Sequence, residues 1–226
     1  MRLFSIAIDG PSGAGKSTIA KIIAKDLDII YLDTGALYRA IGLYVFNKGI
    51  DPTDANRVIP LLNEINIEII PQKDGQRVIL NKQDVTTDIR KHEISKYASD
   101  VSAIPKVREF LLDLQRNFAK KHSVIMDGRD IGTVILPNAD VKIFLTASPE
   151  DRAKRRFKEL IERGQKIEYD NVLKDILERD YNDSNRAVAP LKPADDAIII
   201  DTTGFELADS VKLIKNTIRE RLGNAL

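Results

Sequence analysis

The stretch Gly10-Pro11-Ser12-Gly13-Ala14-Gly15-Lys16-Ser17 constrains this chain more than any other segment. It fits G-x-x-x-x-G-K-[ST], a loop whose glycines let backbone N–H groups converge on a phosphate at a helix N-terminus. The pattern carries meaning only between a buried strand and a helix, and both flanks comply. Leu3 to Ile8 is an apolar run, and Thr18 to Lys25 has helical periodicity. Gly10, Pro11, Ser12, Gly13, Ala14, Gly15, Lys16, Ser17 and Thr18 are therefore the expected surface for a nucleoside triphosphate. Lys16 reaches the β- and γ-oxygens, and the Ser17 hydroxyl ligates Mg²⁺.

With 226 residues the chain is long for one α/β domain and has room for a smaller inserted piece. The net charge of +1, from 35 Lys+Arg against 34 Asp+Glu, points to neither nucleic acid nor a membrane surface. Zero Cys excludes disulfides, thiolate zinc sites and thiol catalysis. No apolar stretch approaches the ~20 residues of a membrane span. The first strand leads straight into the phosphate loop, without the pattern of a signal peptide. We expect a cytoplasmic protein, and a monomer.

Five apolar runs, at residues 3–8, 29–32, 123–126, 141–145 and 197–200, read as central strands of a parallel sheet flanked by helices. Leu207 to Leu222 closes the chain as an amphipathic helix. The gap between the second and third runs is too long for one crossover. Residues 67–70, 77–80 and 84–85 read there as short antiparallel strands, turned at Lys73-Asp74-Gly75-Gln76 and Asn81-Lys82-Gln83. A helix from Asp88 to Ala103, ended by Pro105, completes a small α+β insertion. Later, Ser148-Pro149-Glu150-Asp151 starts a helix that runs to about Arg163 and stops at Gly164. A second helix spans Asp170 to Arg186. Two charged helices beside a phosphate site suggest a lid. The expected division is a core over 1–62, 103–147 and 188–226, an insertion over 63–102 and a lid over 148–187.

Val124-Ile125-Met126-Asp127 has the form of a Walker B strand, whose carboxylate serves Mg²⁺; a plain helix cap is the rival reading. Arg152, Arg155 and Arg156 share one face of the first lid helix, and Arg179, Asp183 and Arg186 share one face of the second. Charged faces are ordinarily solvated. Two such clusters on one lid suit the spread negative charge of a migrating phosphoryl group. Asp33-Thr34-Gly35-Ala36-Leu37-Tyr38-Arg39 follows the second strand: Asp33 or Thr34 can cap the next helix, and Arg39 can face a monophosphate. Asn81-Lys82-Gln83-Asp84 fits N-K-x-D, the guanine reader of GTPases. No D-x-x-G lies between Ser17 and Asn81, so we read the segment as a hairpin turn.

Four segments together resemble the bacterial-type cytidylate kinase family of nucleoside-monophosphate kinases. They are Ile8 to Lys16, Leu32 to Arg39, Asp127-Gly128-Arg129-Asp130-Ile131-Gly132-Thr133-Val134, and Asn185-Arg186-Ala187-Val188-Ala189-Pro190. The resemblance implies ATP as phosphoryl donor, CMP or dCMP as acceptor, and Mg²⁺. It implies a P-loop core of five parallel strands, with the insertion binding the monophosphate and the lid closing over the phosphates. Thr34, Arg39 and Arg129 then contact the monophosphate, Ser99, Arg108 and Asp130 read cytosine, and Asp183 contacts ribose. Arg179 and Arg186 bind phosphate, and Arg156 joins the donor side. Lys16, Arg129, Arg179 and Arg186 would carry catalysis, with Ser17 and Asp127 at the metal. The alternatives are a kinase for another monophosphate on the same core and, more distantly, a GTPase-like switch.

Overall fold

Residues 2–72, 75–162 and 164–223 are described by a computed structural model. The first apolar run forms β1 (Ser5–Asp9), and α1 (Lys16–Asp26) leaves the phosphate loop. β2 (Ile30–Asp33) passes directly into α2 (Thr34–Asn47), where the Asp33 carboxylate caps the helix by accepting the Ala36 N–H. After α3 (Ala55–Leu61) come β3 (Ile67–Gln72), β4 (Gly75–Leu80) and β5 (Gln83–Asp84), paired antiparallel as a separate three-stranded sheet. Lys73 and Asp74 of the first expected turn lie outside the described residues.

The helix expected from Asp88 to Ala103 is instead a 3₁₀ turn at Asp88–Arg90 followed by α4 (His92–Ser102). Pro105, expected as a stop, also begins α5 (Pro105–Ala119), since a proline's missing N–H costs nothing at a helix's first position. β6 (Val124–Gly128) leads into a π-helical turn at Ile131–Ile135, and β7 (Val141–Thr146) follows. The segment expected as a lid is α6 (Pro149–Glu162) and α7 (Tyr169–Asn185). Ser148 Oγ accepts the Asp151 N–H at 3.2 Å, which starts α6 as its sequence indicated. Arg163, its expected last residue, lies outside the described residues. β8 (Ile198–Asp201) and α8 (Leu207–Leu222) complete the fold.

Five strands form one parallel sheet in the order β2-β6-β1-β7-β8. Ile6, Ala7 and Ile8 have no exposed surface, as a strand covered on both faces requires. The ladder continues past the apolar runs into polar residues: Asp9 pairs with Gly128, Asp33 with Asp127, and Thr146 with Asp201. Carboxylates thus gather at the C-terminal edge, where ligands of open α/β sheets bind. One sheet face packs Ile6 and Ile8 against Ile19 and Ile23 of α1 and Ile214 and Ile218 of α8. The other packs Ala7, Leu32 and Met126 against Ile131, with Leu112 and Phe118 of α5 at its margin. A larger cluster joins Leu37 and Ile41 of α2 to Val78 and Leu80 of β4, Ile94 of α4 and Leu111 of α5. The lid helices share a small seam of Ala153, Leu160, Val172 and Ile176.

The N-K-x-D segment serves the hairpin. Asn81 and Lys82 adopt φ of 48° and 69°, the left-handed pair that a tight two-residue hairpin turn needs. The Asn81 amide donates to Glu64 O at 2.9 Å and accepts the Asn66 N–H at 2.7 Å. Among the described residues no helix is long and apolar enough to cross a membrane.

Candidate active site

The phosphate loop depends on glycine geometry and on two arginines. Gly10 sits at φ +146°, where a Cβ would lie 1.9 Å from Leu145 O, so no side chain fits. Gly13 and Gly15 are left-handed, and Gly15 caps α1. Arg152 of α6 donates to Ser12 O at 3.0 Å and Ala147 O at 2.8 Å, and pairs with Asp180 at 2.6 Å. Arg155 donates to Thr202 O at 2.7 Å and reaches Ala14 O at 3.5 Å. A trans peptide points its C=O and N–H in opposite directions. Pinning the Ser12 carbonyl to α6 therefore turns the Gly13 N–H away from that helix. Two of the three arginines on one face of α6 thus hold the loop's backbone, while Arg156, half-buried, pairs with Glu159 at 2.7 Å. Thr18 is exposed on α1.

Lys16 is buried and its ammonium donates to Pro11 O at 2.7 Å. Burial pushes its pKa well down, and Arg129 and Arg179 push it further against Asp127 and Asp9. Beside it, Ser17 Oγ donates to Asp127 Oδ2 at 2.7 Å and Tyr31 OH to Asp127 Oδ1 at 2.8 Å. Burial raises the Asp127 carboxyl, Asp33 adds to the rise, and Lys16 and the two hydroxyls oppose it. A hydroxyl and a carboxylate this close form a hard-oxygen pair that suits Mg²⁺. Among the described residues no group of three or more His, Cys, Asp or Glu could hold a metal. Mg²⁺ is commonly bound in that way, by one or two protein oxygens with phosphate and water completing its shell.

Around Asp183, cations outnumber carboxylates. Asp183 of α7, 5% exposed, accepts from Arg129 Nε at 2.8 Å, with Arg186 Nη1 at 3.7 Å and Arg179 Nε at 3.9 Å. Burial works to raise Asp183, but Arg129 and Arg179 outweigh it and hold the carboxyl below its usual range. Arg179 falls to about 10 through burial and Arg129, with Arg39 and Arg156 adding to the fall. Arg39 falls to about 10 through burial, opposed by Asp33 and deepened by Arg156, Arg90 and Arg129. Arg39 also donates to Ser95 Oγ at 2.8 Å and Ile89 O at 3.2 Å. Arg39, Arg129 and Arg156 thus all act on Arg179, and Arg129 and Arg179 act in turn on Lys16. Buried Arg179 Nε and Arg186 Nη2 make no hydrogen bond.

Asp130 and Arg108 form a buried ion pair, and Arg186 Nη2 lies 3.9 Å from the other Asp130 oxygen. The Tyr38 ring stacks 5.3 Å from the Arg108 guanidinium carbon. Arg108 Nη1 donates to Ser102 O at 3.2 Å. A cleft of about 390 Å³ opens between α4 and α7, lined by Ser99, Asp100, Ser102, Tyr181, Asp183 and Arg186. Thr34 Oγ1 donates to Asp127 O at 2.8 Å, so the start of α2 is tied to β6. A second crevice, of about 380 Å³ behind α1, holds none of the expected site residues.

Three site-adjacent side chains escaped the sequence reading. Asp9 accepts the Ile131 and Gly132 N–H groups at 2.7 Å each, and burial raises its carboxyl to about 6. Tyr31 carries the hydroxyl that holds Asp127; a tyrosine inside an apolar strand was the available signal. The buried Gln76 amide bridges the Asp33 peptide, accepting its N–H at 2.8 Å and donating to its C=O at 3.1 Å. That contact spans the insertion and the core, and no local pattern announces it.

The sequence model of the cytidylate kinase family matches residues 6–220. The chain is 48% identical over 224 residues to the cytidylate kinase of Caldicellulosiruptor saccharolyticus, covering 99% of each. It is 50% identical over 215 residues to that of Clostridium botulinum, covering 95% of this chain and 97% of the relative. A solved structure of an uncharacterized protein from Eubacterium ventriosum superposes with TM-score 0.54 at 13% identity, over 97% of this chain and 99% of the other, a likeness of fold alone.

Proposed function

The chain belongs to the cytidylate kinase family, and from that premise we propose how it moves the γ-phosphoryl group of ATP to CMP. The observation that carries the reading is that Arg129 and Arg179 both act on the buried Lys16 and share Asp183 as their counter-charge, while Arg39 and Arg156 add their charge at Arg179. Cations that depress one another are stabilised by an anion, and two nucleotides bring several phosphate charges to one place.

ATP lies along the phosphate loop, with Lys16 at its β- and γ-oxygens. CMP lies in the cleft between α4 and α7. Its cytosine meets Ser99, Arg108 and Asp130: a carboxylate accepts from N4, and a guanidinium serves N3 and O2. Asp183 receives the sugar hydroxyls, and dCMP keeps one of them. Thr34, Arg39, Arg129 and Arg186 surround the acceptor phosphate. One of its oxygens bonds to the γ-phosphorus as the bond from that phosphorus to the β,γ-bridging oxygen breaks, and ADP leaves. The acceptor phosphate is already anionic, so no general base is needed. Ser17 and Asp127 would hold Mg²⁺, which would supply charge neutralisation for the phosphates. Positioning and electrostatics from Lys16, Arg129, Arg179 and Arg186 supply the remainder. Closure of α6 and α7 keeps water from the γ-phosphoryl group.

Initial rates of ADP release at saturating ATP with CMP, dCMP, UMP and AMP test this. CMP and dCMP are expected to be the good acceptors, with UMP and AMP weaker by about 10²-fold in kcat/KM. Equal rates with all four, or a preference for AMP, would overturn it.

A further inference from the structure

Asp9 is a buried carboxylate set between the charges of Asp130 and Lys16. It ends β1 with 4% exposure, and it lies one residue before the phosphate loop. Its pull on the loop's Lys16 is smaller than those of Arg129, Asp127 and Arg179. β1 is already held in a ladder with β6 from Ser5 to Asp9 and with β7 from Ile6 to Asp9. Burying a carboxylate is costly unless hydrogen bonds compensate. Its two oxygens reach across the sheet edge instead, to the Ile131 and Gly132 N–H groups at 2.7 Å each.

Those amides open the π-helical turn, and they are the unpaired donors that a helix start always leaves. The residue in the capping position is Asp130, and its side chain makes no capping bond. An aspartate there ordinarily folds back onto the second or third N–H of its own turn. Here Asp9, from another strand, takes the first and second N–H of the turn, the second being one that such a fold-back would use. The Asp130 carboxylate is left for Arg108 and Arg186. Its main-chain oxygen meanwhile accepts from Val134 N at 2.9 Å and Ile135 N at 3.2 Å, which fixes the residue at both ends.

We propose that Asp9 is a positioning residue for acceptor selection: by capping the turn in place of Asp130, it keeps the Asp130 carboxylate on Arg108 and turned to the acceptor base. This role rests on the CMP reading above. Without Asp9, the Asp130 carboxylate falls back onto the Ile131 and Gly132 amides and the base reader is lost, while the donor loop keeps both its ladders. Asp9 thereby joins the strand that carries the donor loop to the turn that carries Arg129 and Asp130.

The test is Asp9→Asn in the full chain, since an asparagine accepts one amide and opposes the other. KM for CMP is expected to rise about tenfold and the preference for CMP over UMP to fall by about tenfold, the size of one charged hydrogen bond. KM for ATP stays within about twofold in the same assays. A merely structural role would raise both KM values together, and that result, or an unchanged CMP-to-UMP ratio, overturns the proposal. If the unsubstituted enzyme does not prefer CMP to UMP, the functional reading falls with it; a preference retained in D9N removes the role of Asp9 alone. Should D9N fail to fold, amide exchange in the unsubstituted chain decides. Linkage requires CMP, and not ATP, to slow exchange at Ile131 and Gly132. Exchange unmoved by CMP overturns the role.

Discussion

On the acceptor side of the phosphate loop, α2 and α4 approach so closely that a Cβ on Gly42 would lie 2.9 Å from Ala98 N. Leu37, Ile41, Val78, Ile94 and Leu111 share one apolar cluster there, so strands of the small sheet and helices of the core are packed as one body. On the lid side, α6 and α7 share a seam of their own, and their ties to the core include Arg152 on Ser12 O, Arg155 on Thr202 O and Asp183 on Arg129. An apolar cluster loses energy with any opening. A guanidinium can exchange a carbonyl or a carboxylate for a phosphate at little net cost. Under the proposed function, the contrast suits a shape-holding role for the α2–α4 side and closure for α6 and α7.

The largest expected effect comes from the charge shared by both regions. Arg186→Ala removes a cation next to Asp130 and Asp183, and turnover should fall about 10³-fold while KM for ATP changes by less than about threefold. Unchanged turnover in a coupled ADP-release assay would break the catalytic assignment of the lid. Asp183→Asn leaves Arg129 and Arg179 without the carboxylate they share and should cost about 3–5 kcal/mol in urea unfolding. The pH dependence has a definite sign. Asp183 titrates lower folded than unfolded, so its contribution is complete above an unfolded value of about 4 and is lost as pH falls through the folded one. The stability gap between parent and D183N should therefore close in acid; a gap constant from neutral pH to pH of about 3 would refute it.

Gly42→Ala sharpens the comparison more directly. It forces α2 from α4 and should lower global stability by about 1–3 kcal/mol in a single transition. Leu160→Ala, in the lid seam, should speed amide exchange in α6 and α7 while the sheet strands keep their protection. Lost sheet protection in L160A would mean that the lid is packed like the acceptor side. The smallest effect is expected at Asn81→Ala, about 1 kcal/mol from the left-handed turn, with the ATP-to-GTP preference unchanged. A shifted preference would restore N-K-x-D as a base reader.

The legible parts of this molecule were those encoded by neighbours in the chain. The loop from Gly10 to Ser17, the apolar run ending in Asp127 and the capping Ser148-Pro149 each state their geometry within a few residues. The ends of the first two strands were read one residue short because an aspartate ends an apolar run without ending the ladder, as Asp9 and Asp33 demonstrate. The hidden parts are pairings across the fold. Arg152 and Arg155 look like any solvated helix face until Ser12 O and Thr202 O are placed beside them. The π turn after Asp130 has no periodicity of its own, and its cap lies more than a hundred residues away on β1.

Gln76 has one more consequence, for the behaviour of the protein in concentrated solution. β2 is the outermost strand of the parallel sheet, and an outer strand offers bare N–H and C=O groups on which another chain can dock. The Gln76 amide has the donor and acceptor of a peptide, and it occupies both positions at Asp33. It acts as a strand one residue long that covers the C-terminal end of β2. The opposite rim is β8, where Ile199 is 63% exposed. Self-association through strand pairing is therefore expected to begin at β8, and replacing Gln76 by leucine would give the molecule a second sticky edge.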